Sequence, residues 1–301
     1  MALQSEKLGY GAGEKLLIVN ADDFGMCRSA NAAIEKLLLA GDISSATVMI
    51  PCPWAKQATA FCKNNPQLDI GVHLTFTSEW EGYRWVPISG RDAVTSLLDE
   101  GLFFPKDCET FEKQANAEEV RREIYAQIEH AIALGIQPTH LDIHMGSLYG
   151  LATGRDFLET VIEACTHYGL PLRLPCRMIE DASFPEALLP MATARIQLAE
   201  ERGVQMIDDL VSLPYAVQEG DTYMNVRLQM ADLLRNIRPG LTEIIIHPAF
   251  VTDELEAIMP YAQKRGMEAK LFRDALIQKT IQEAGIRLIS WRDLMESQRN
   301  S

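Results

Sequence analysis

Two adjacent aspartates close an apolar run near the start of the chain, in Leu17-Ile18-Val19-Asn20-Ala21-Asp22-Asp23-Phe24-Gly25. Carboxylates at the end of a buried strand cost free energy unless something compensates them, and a divalent cation is the usual compensator. Imidazoles that could complete such a site end other apolar runs: His73 in Ile70-Gly71-Val72-His73-Leu74-Thr75, and His144 in Thr139-His140-Leu141-Asp142-Ile143-His144-Met145. One carboxylate with two imidazoles on separate strands, leaving positions for water and substrate, suits a cation that polarises an oxygen and activates water. Asp23, His73 and His144 can form that set, while Asp22 stays off the cation as general base.

Two more residues fit the same chemistry. His247, in Glu243-Ile244-Ile245-Ile246-His247-Pro248, ends a different run and can act as general acid for a leaving group. Arg173, in Leu170-Pro171-Leu172-Arg173-Leu174-Pro175, can fix a base carboxylate and keep it ionised. Alone, a strand-end histidine is more often a hydrogen-bonded core residue and an arginine more often a salt-bridge partner. Their gathering at several strand ends is what favours a site. Alternation also places His140, Asp142 and His144 on one face of their strand. The tasks of His140, Asp142 and a further strand-end carboxylate, Asp208, stay open.

The elements that must position these groups alternate along the chain. Apolar, β-branched runs predict strands at 15–20, 46–50, 68–75, 139–145, 170–175, 204–209, 243–248 and 286–291. Amphipathic stretches with glycine stops predict helices at 29–41, 54–63, 116–135, 155–167, 194–202, 225–237 and 272–284. Strands alternating with helices imply a parallel sheet, because each crossover must return on the same side. The fold class expected is α/β, a single-domain distorted (β/α) barrel of seven or eight parallel strands. Asp22, Asp23, His73, His144, Arg173, Asp208 and His247 would then lie at the rim formed by the strands' C-terminal ends, where barrels carry their sites. Residues 78–115 hold Trp80, Tyr83, Trp85, Phe103 and Phe104 without a sustained period, and read equally as a lid or substrate wall and as a packed surface loop.

Composition narrows the partners. With 301 residues, 47% hydrophobic and 23% charged, the chain can bury a full core. Residues 1–14 read as a loose polar tail and 15–301 as one domain. A net charge of −14, from 28 Lys and Arg against 42 Asp and Glu, argues against nucleic acid or an anionic membrane surface as partner. No basic segment followed by an apolar core marks a leader, and no run approaches the roughly 20 apolar residues of a membrane span. The six cysteines lack short paired spacings and read as reduced thiols, so a cytoplasmic location is expected. Homo-oligomers are common on base rates alone.

The motifs Asn20-Ala21-Asp22-Asp23-Phe24-Gly25, Gly71-Val72-His73-Leu74-Thr75, Pro138-Thr139-His140-Leu141-Asp142-Ile143-His144 and His247-Pro248 together resemble those of the YdjC-like (ChbG/HpnK-type) carbohydrate deacetylases, in order and spacing. A distant likeness to the NodB-type polysaccharide deacetylases accompanies it. The resemblance runs from about Lys15 to Asp293. It implies a distorted barrel that removes an acetyl group from an N-acetylated mono- or oligosaccharide with one divalent cation, Mg2+ or Zn2+. It further implies Asp23, His73 and His144 as metal ligands, Asp22 as catalytic base, Arg173 as the arginine pairing with that base, and His247 as general acid. Aromatic residues of the 78–104 region could stack on the sugar. The fourth motif departs from the family, since His144 is followed by Met145-Gly146-Ser147-Leu148 rather than by further histidines, which alters the neighbouring subsites. Two rival readings stay open: another metal-dependent barrel enzyme, such as a phosphoesterase or sugar epimerase, and a non-catalytic sugar-binding or regulatory protein on the same scaffold.

Overall fold

The computed structural model describes residues 3–300. Its centre is a parallel sheet of seven strands: β1 (Lys15–Phe24), β2 (Ser45–Val48), β3 (Ile70–Leu74), β4 (Leu141–Ile143), β5 (Asp209–Ser212), β6 (Gly240–Ile246) and β7 (Ile286–Leu288). The sheet runs β4-β3-β2-β1-β6-β5. β7 pairs with the first residues of β1, Lys15 to Leu17, and β2 pairs with its later ones from Asn20 onward. Helices cover the outside, so the architecture is the expected distorted barrel.

The strand expected at 170–175 is present only as bridges. Leu172 pairs with Leu141 of β4, and Pro175 with Ile207 just before β5, so this segment spans the gap between the two ends of the sheet. Pro171 and Pro175 lack the N–H groups a regular ladder needs, which explains the interruption. The strand expected at 204–209 begins at Asp209, so Asp208 sits at the entry end of β5 rather than at the rim. There its carboxylate accepts the amides of Leu241 and Gln4, at 2.7 and 3.1 Å. Those bonds hold part of the N-terminal segment: residues Gln4–Lys7 form a helical turn with Gln4 and Ser5 buried.

β1 is apolar on both faces because it serves two cores. Leu17, Val19 and Ala21 point outward into the main core under the helices. Leu16 and Ile18 point inward, where they pack with Ile207, Leu241, Ile289, Trp291 and Leu294 at the base of the barrel. Above that plug the interior turns polar. His140, the residue just before β4, stacks on Trp291 with ring centroids 4.6 Å apart. It fills the space over Gly71, where a Cβ would lie 2.5 Å from its ring.

Residues 78–115 are a packed wall. Trp85, Val94, Leu97, Phe104 and Phe111 are buried. The backbone is held by side chains: Glu123 accepts the amides of Ile88 and Ser89, and Glu119 that of Ser96. Among the described residues no helix is long and apolar enough to cross a membrane. All six cysteines are free.

Candidate active site

Adjacent residues of a regular strand point to opposite faces, yet Asp22 and Asp23 serve one site. The backbone resolves this. The β1–β2 register slips between Ala21 and Phe24, and Asp23 takes a left-handed φ of 66°. Aspartate tolerates that region better than most residues, and the irregularity turns its side chain inward beside Asp22. Gly25 completes the turn with φ 91°, where a Cβ would lie 3.1 Å from the Ala55 backbone.

Asp23, His73 and His144 converge. Oδ1 of Asp23 lies 3.6 Å from Nε2 of His73 and 3.4 Å from Nδ1 of His144, and the two ring nitrogens are 3.3 Å apart. Oδ1 is buried and has no hydrogen-bond partner. An orphaned buried carboxylate oxygen facing two imidazoles is costly unless a cation joins them. The spacings fit one, since tetrahedral bonds of roughly 2.1 Å separate ligand atoms by about 3.4 Å. A second group, Asp22, His73 and Asp142, is equally compact. It fits a cation poorly, because both of its carboxylates already pair with the Arg173 guanidinium.

Each imidazole has a carboxylate behind it. Nδ1 of His73 donates to Asp142 at 2.6 Å, freeing Nε2 for the site. Nε2 of His144 donates to Glu79 at 3.1 Å, which leaves Nδ1 facing Asp23 and His73. Such outer partners fix ring orientation and tautomer in metal centres. Burial opposes a charged His144, but Glu79 at one nitrogen and Asp23 at the other raise its pKa to about 10. The donor set therefore attracts positive charge.

Arg173 lies beneath, joining three carboxylates. It donates to both oxygens of Asp22 at 2.8 Å and to both of Glu243 at 2.9 Å, and pairs with Asp142 at 2.6 Å. Burial would raise Asp22, yet the charge and hydrogen bonds of Arg173, together with the nearby His73 and His247, outweigh it and hold this carboxyl far below its usual range. Glu243 is pushed up by burial to about 7 despite the same guanidinium. Burial likewise works against ionised Asp23, and Arg265 with His144 keeps it well below the usual range.

A cavity of about 550 Å³ opens over these groups, lined on this side by Asp22, Asp23, His73, His144, Arg173 and His247. His247 packs edge-on to Tyr215, centroids 5.1 Å apart, and its amide donates to Glu268 at 2.6 Å. The aromatic groups at the cavity are Tyr149, Phe184 and Tyr215. Trp80, Trp85 and Phe104, read from the sequence as candidates to face a sugar, are buried in the core instead. The 78–115 wall still reaches the site through Glu79.

Sequence reading missed Glu79, Glu243 and Arg265. Glu243 had a usable signal, a lone acid in the apolar run of β6, and Glu79 follows the His73 strand closely. Arg265 had none, because it lies on a helix (Ala262–Leu271) whose buried residues include Lys264 and Glu268 and so show no apolar period.

Fold and site thus define a (β/α)-barrel protein built on a two-histidine, one-aspartate donor cluster beside an arginine-held aspartate. The chain belongs to the YdjC-like protein family, whose model matches residues 16–283. It is 31% identical over 253 residues to a carbohydrate deacetylase of Thermus thermophilus, covering 84% of each chain. It is 30% identical over 281 residues to a carbohydrate deacetylase of Enterococcus faecalis, covering 93% of this chain and 98% of that one. The crystal structure of a protein described as a cellobiose-phosphate cleavage protein, also from Enterococcus faecalis, superposes with a TM-score of 0.74 at 28% identity, covering 93% of this chain and 99% of that one.

Proposed function

We propose that the protein is a metal-dependent carbohydrate N-deacetylase that hydrolyses the acetamide of an N-acetylated mono- or oligosaccharide. The observation that carries the reading is the orphaned Oδ1 of Asp23 between His73 and His144, next to an Asp22 held by Arg173. Its relatives named carbohydrate deacetylase support the substrate class. Asp23, His73 and His144 would hold one divalent cation, and of the two expected, two imidazoles suit Zn2+ better than Mg2+. Bound there, the cation supplies Lewis-acid polarisation of the acetyl carbonyl and acidifies the attacking water.

The chain's own residues do the rest. Asp22 takes the water's proton, and Arg173 orients it and keeps it ionised for that step. A carboxylate stabilised this strongly is a weak base, so it depends on the water being made acidic. His247, exposed to the cavity, protonates the departing amine, and the hydrogen bond its backbone N–H donates to Glu268 fixes the end of β6 that presents it. Tyr149, Phe184 and Tyr215 offer ring faces to the sugar.

A phosphoesterase reading has less support. Among the described residues lining the cavity, Arg173 is the one arginine or lysine, and its guanidinium is already shared among three carboxylates. The test is acetate release from N-acetylglucosamine and its oligomers, with chelator and after Zn2+ is restored. Release that stops with chelator and returns with Zn2+ is expected; no chelator-sensitive release from any acetylated amino sugar sinks the proposal.

A further inference from the structure

Asp23 is gripped from the side away from the imidazoles. Nη2 of Arg265 donates to its Oδ2 at 2.6 Å and to the Tyr215 hydroxyl at 2.7 Å. The side chain is only 2% exposed, yet Nε and Nη1 have no hydrogen-bond partner. Burying an arginine with most of its donors unused is costly, and packing alone would be served better by an apolar side chain. The helix that carries it is also brought unusually close: at Gly266 a Cβ would lie 2.4 Å from Cγ2 of Val251, and the amide of Ala249 donates to the Arg265 carbonyl. The local structure is therefore arranged to bring this one charge to Oδ2, while Oδ1 stays free toward His73 and His144.

We propose that Arg265 is a positioning residue that divides the two oxygens of Asp23, holding Oδ2 itself so that the carboxylate meets the cation through Oδ1 alone. This rests on the metal reading above. A carboxylate free at both oxygens can bind a cation through two atoms and occupy a coordination position that catalysis needs for water or the acetyl oxygen. The guanidinium also places a second positive charge beside the same carboxylate, which limits how strongly Asp23 draws the cation. Arg265 thus trades cation affinity for an open position.

The experiment is Co2+ substitution of the whole protein, read by visible absorption, with acetate release measured in parallel. Arg265→Met should bind Co2+ at least as tightly as wild type and show weaker absorption bands, as expected for a higher coordination number. Its kcat should fall tenfold or more with KM nearly unchanged. Arg265→Lys, which can still hold Oδ2 through one ammonium donor, should recover much of the wild-type spectrum. Binding of Co2+ tenfold weaker with an unchanged spectrum would mean that Arg265 only props the ligand, and overturns the proposal. If the variants fail to fold, a structure of the wild-type Zn2+ complex decides: Oδ2 still on Arg265 supports the proposal, and both oxygens on the cation overturns it. Wild-type protein that binds no Co2+ removes the metal reading altogether, whereas cation-dependent turnover indifferent to Arg265→Met removes this inference alone.

Discussion

Arg173 and Asp22 meet through two parallel hydrogen bonds of 2.8 Å, one from each terminal nitrogen of the guanidinium to each oxygen of the carboxylate. The fork is the point where the barrel's interior carboxylates gather on one cation, because the same guanidinium also faces Asp142 and Glu243. Under the proposed mechanism, catalysis and stability are therefore joined in one side chain.

Arg173→Met should show both effects. It leaves three buried carboxylates without their cation, and breaking a buried pair by removing one partner costs about 3–5 kcal/mol. Urea unfolding should register that loss, and acetate release should fall about a hundredfold or more as Asp22 loses its orientation. Arg173→Lys keeps the charge but presents a single point where a planar fork is needed, so it should recover some stability and little turnover. A variant with wild-type turnover would show that the pairing has no part in the reaction.

Asp142 and Glu79 should matter through the imidazoles they face. Asp142→Asn and Glu79→Gln each weaken the partner that fixes a ring's tautomer, a change that typically lowers metal affinity or activity 10–100-fold. Titration of Zn2+ against a chromophoric chelator measures it. Glu79→Gln is the cleaner test, because Asp142 also pairs with Arg173 at 2.6 Å and its loss disturbs the base as well.

Much of this site was legible in the sequence, for a local reason. Asp22 and Asp23 end one apolar run, His73 another, and the alternation of His140, Asp142 and His144 names their face directly. Strand ends gather at one rim in a parallel barrel, so chemistry at those ends can be read without coordinates. What escaped depends on contacts between distant segments. Arg265 reaches Asp23 across 242 positions from a helix whose inward face is charged, so hydrophobic periodicity gave no helix there. Asp208 was placed at the wrong end because the apolar run 204–207 precedes the paired residues of β5 instead of forming them. The expected strand at 170–175 lost its ladder to two prolines while keeping its place between its neighbours.

Gly71→Ala should disturb the site from below. The added methyl would meet the His140 ring at 2.5 Å, and that ring cannot retreat because it is stacked on Trp291. Overpacking of this kind costs about 1–3 kcal/mol, and His73, two residues along the strand, should be displaced with it. Thermal unfolding and Zn2+ affinity should both decline. The double variant Gly71→Ala, His140→Ala makes room for the methyl, so recovery of Zn2+ affinity in it would locate the strain at this contact.

Asp69 gives a pH signature away from the donor cluster. Burial raises its pKa to about 6, against the hydrogen bonds from Thr139 and the Arg292 amide that favour its ionised form. The unfolded carboxyl titrates near 3.8, so the folded state binds the extra proton between these two values. Stability from this group is then complete below pH 3.8, declines as pH rises through about 6, and stays constant above that. The decline amounts to roughly 3 kcal/mol at 1.36 kcal/mol for each pH unit. Asp69→Asn cannot titrate, so its stability deficit relative to wild type should shrink by about that amount between pH 4 and pH 7 in urea unfolding. A deficit that stays constant over this range, or grows with pH, would show that Asp69 is ionised in the folded protein throughout.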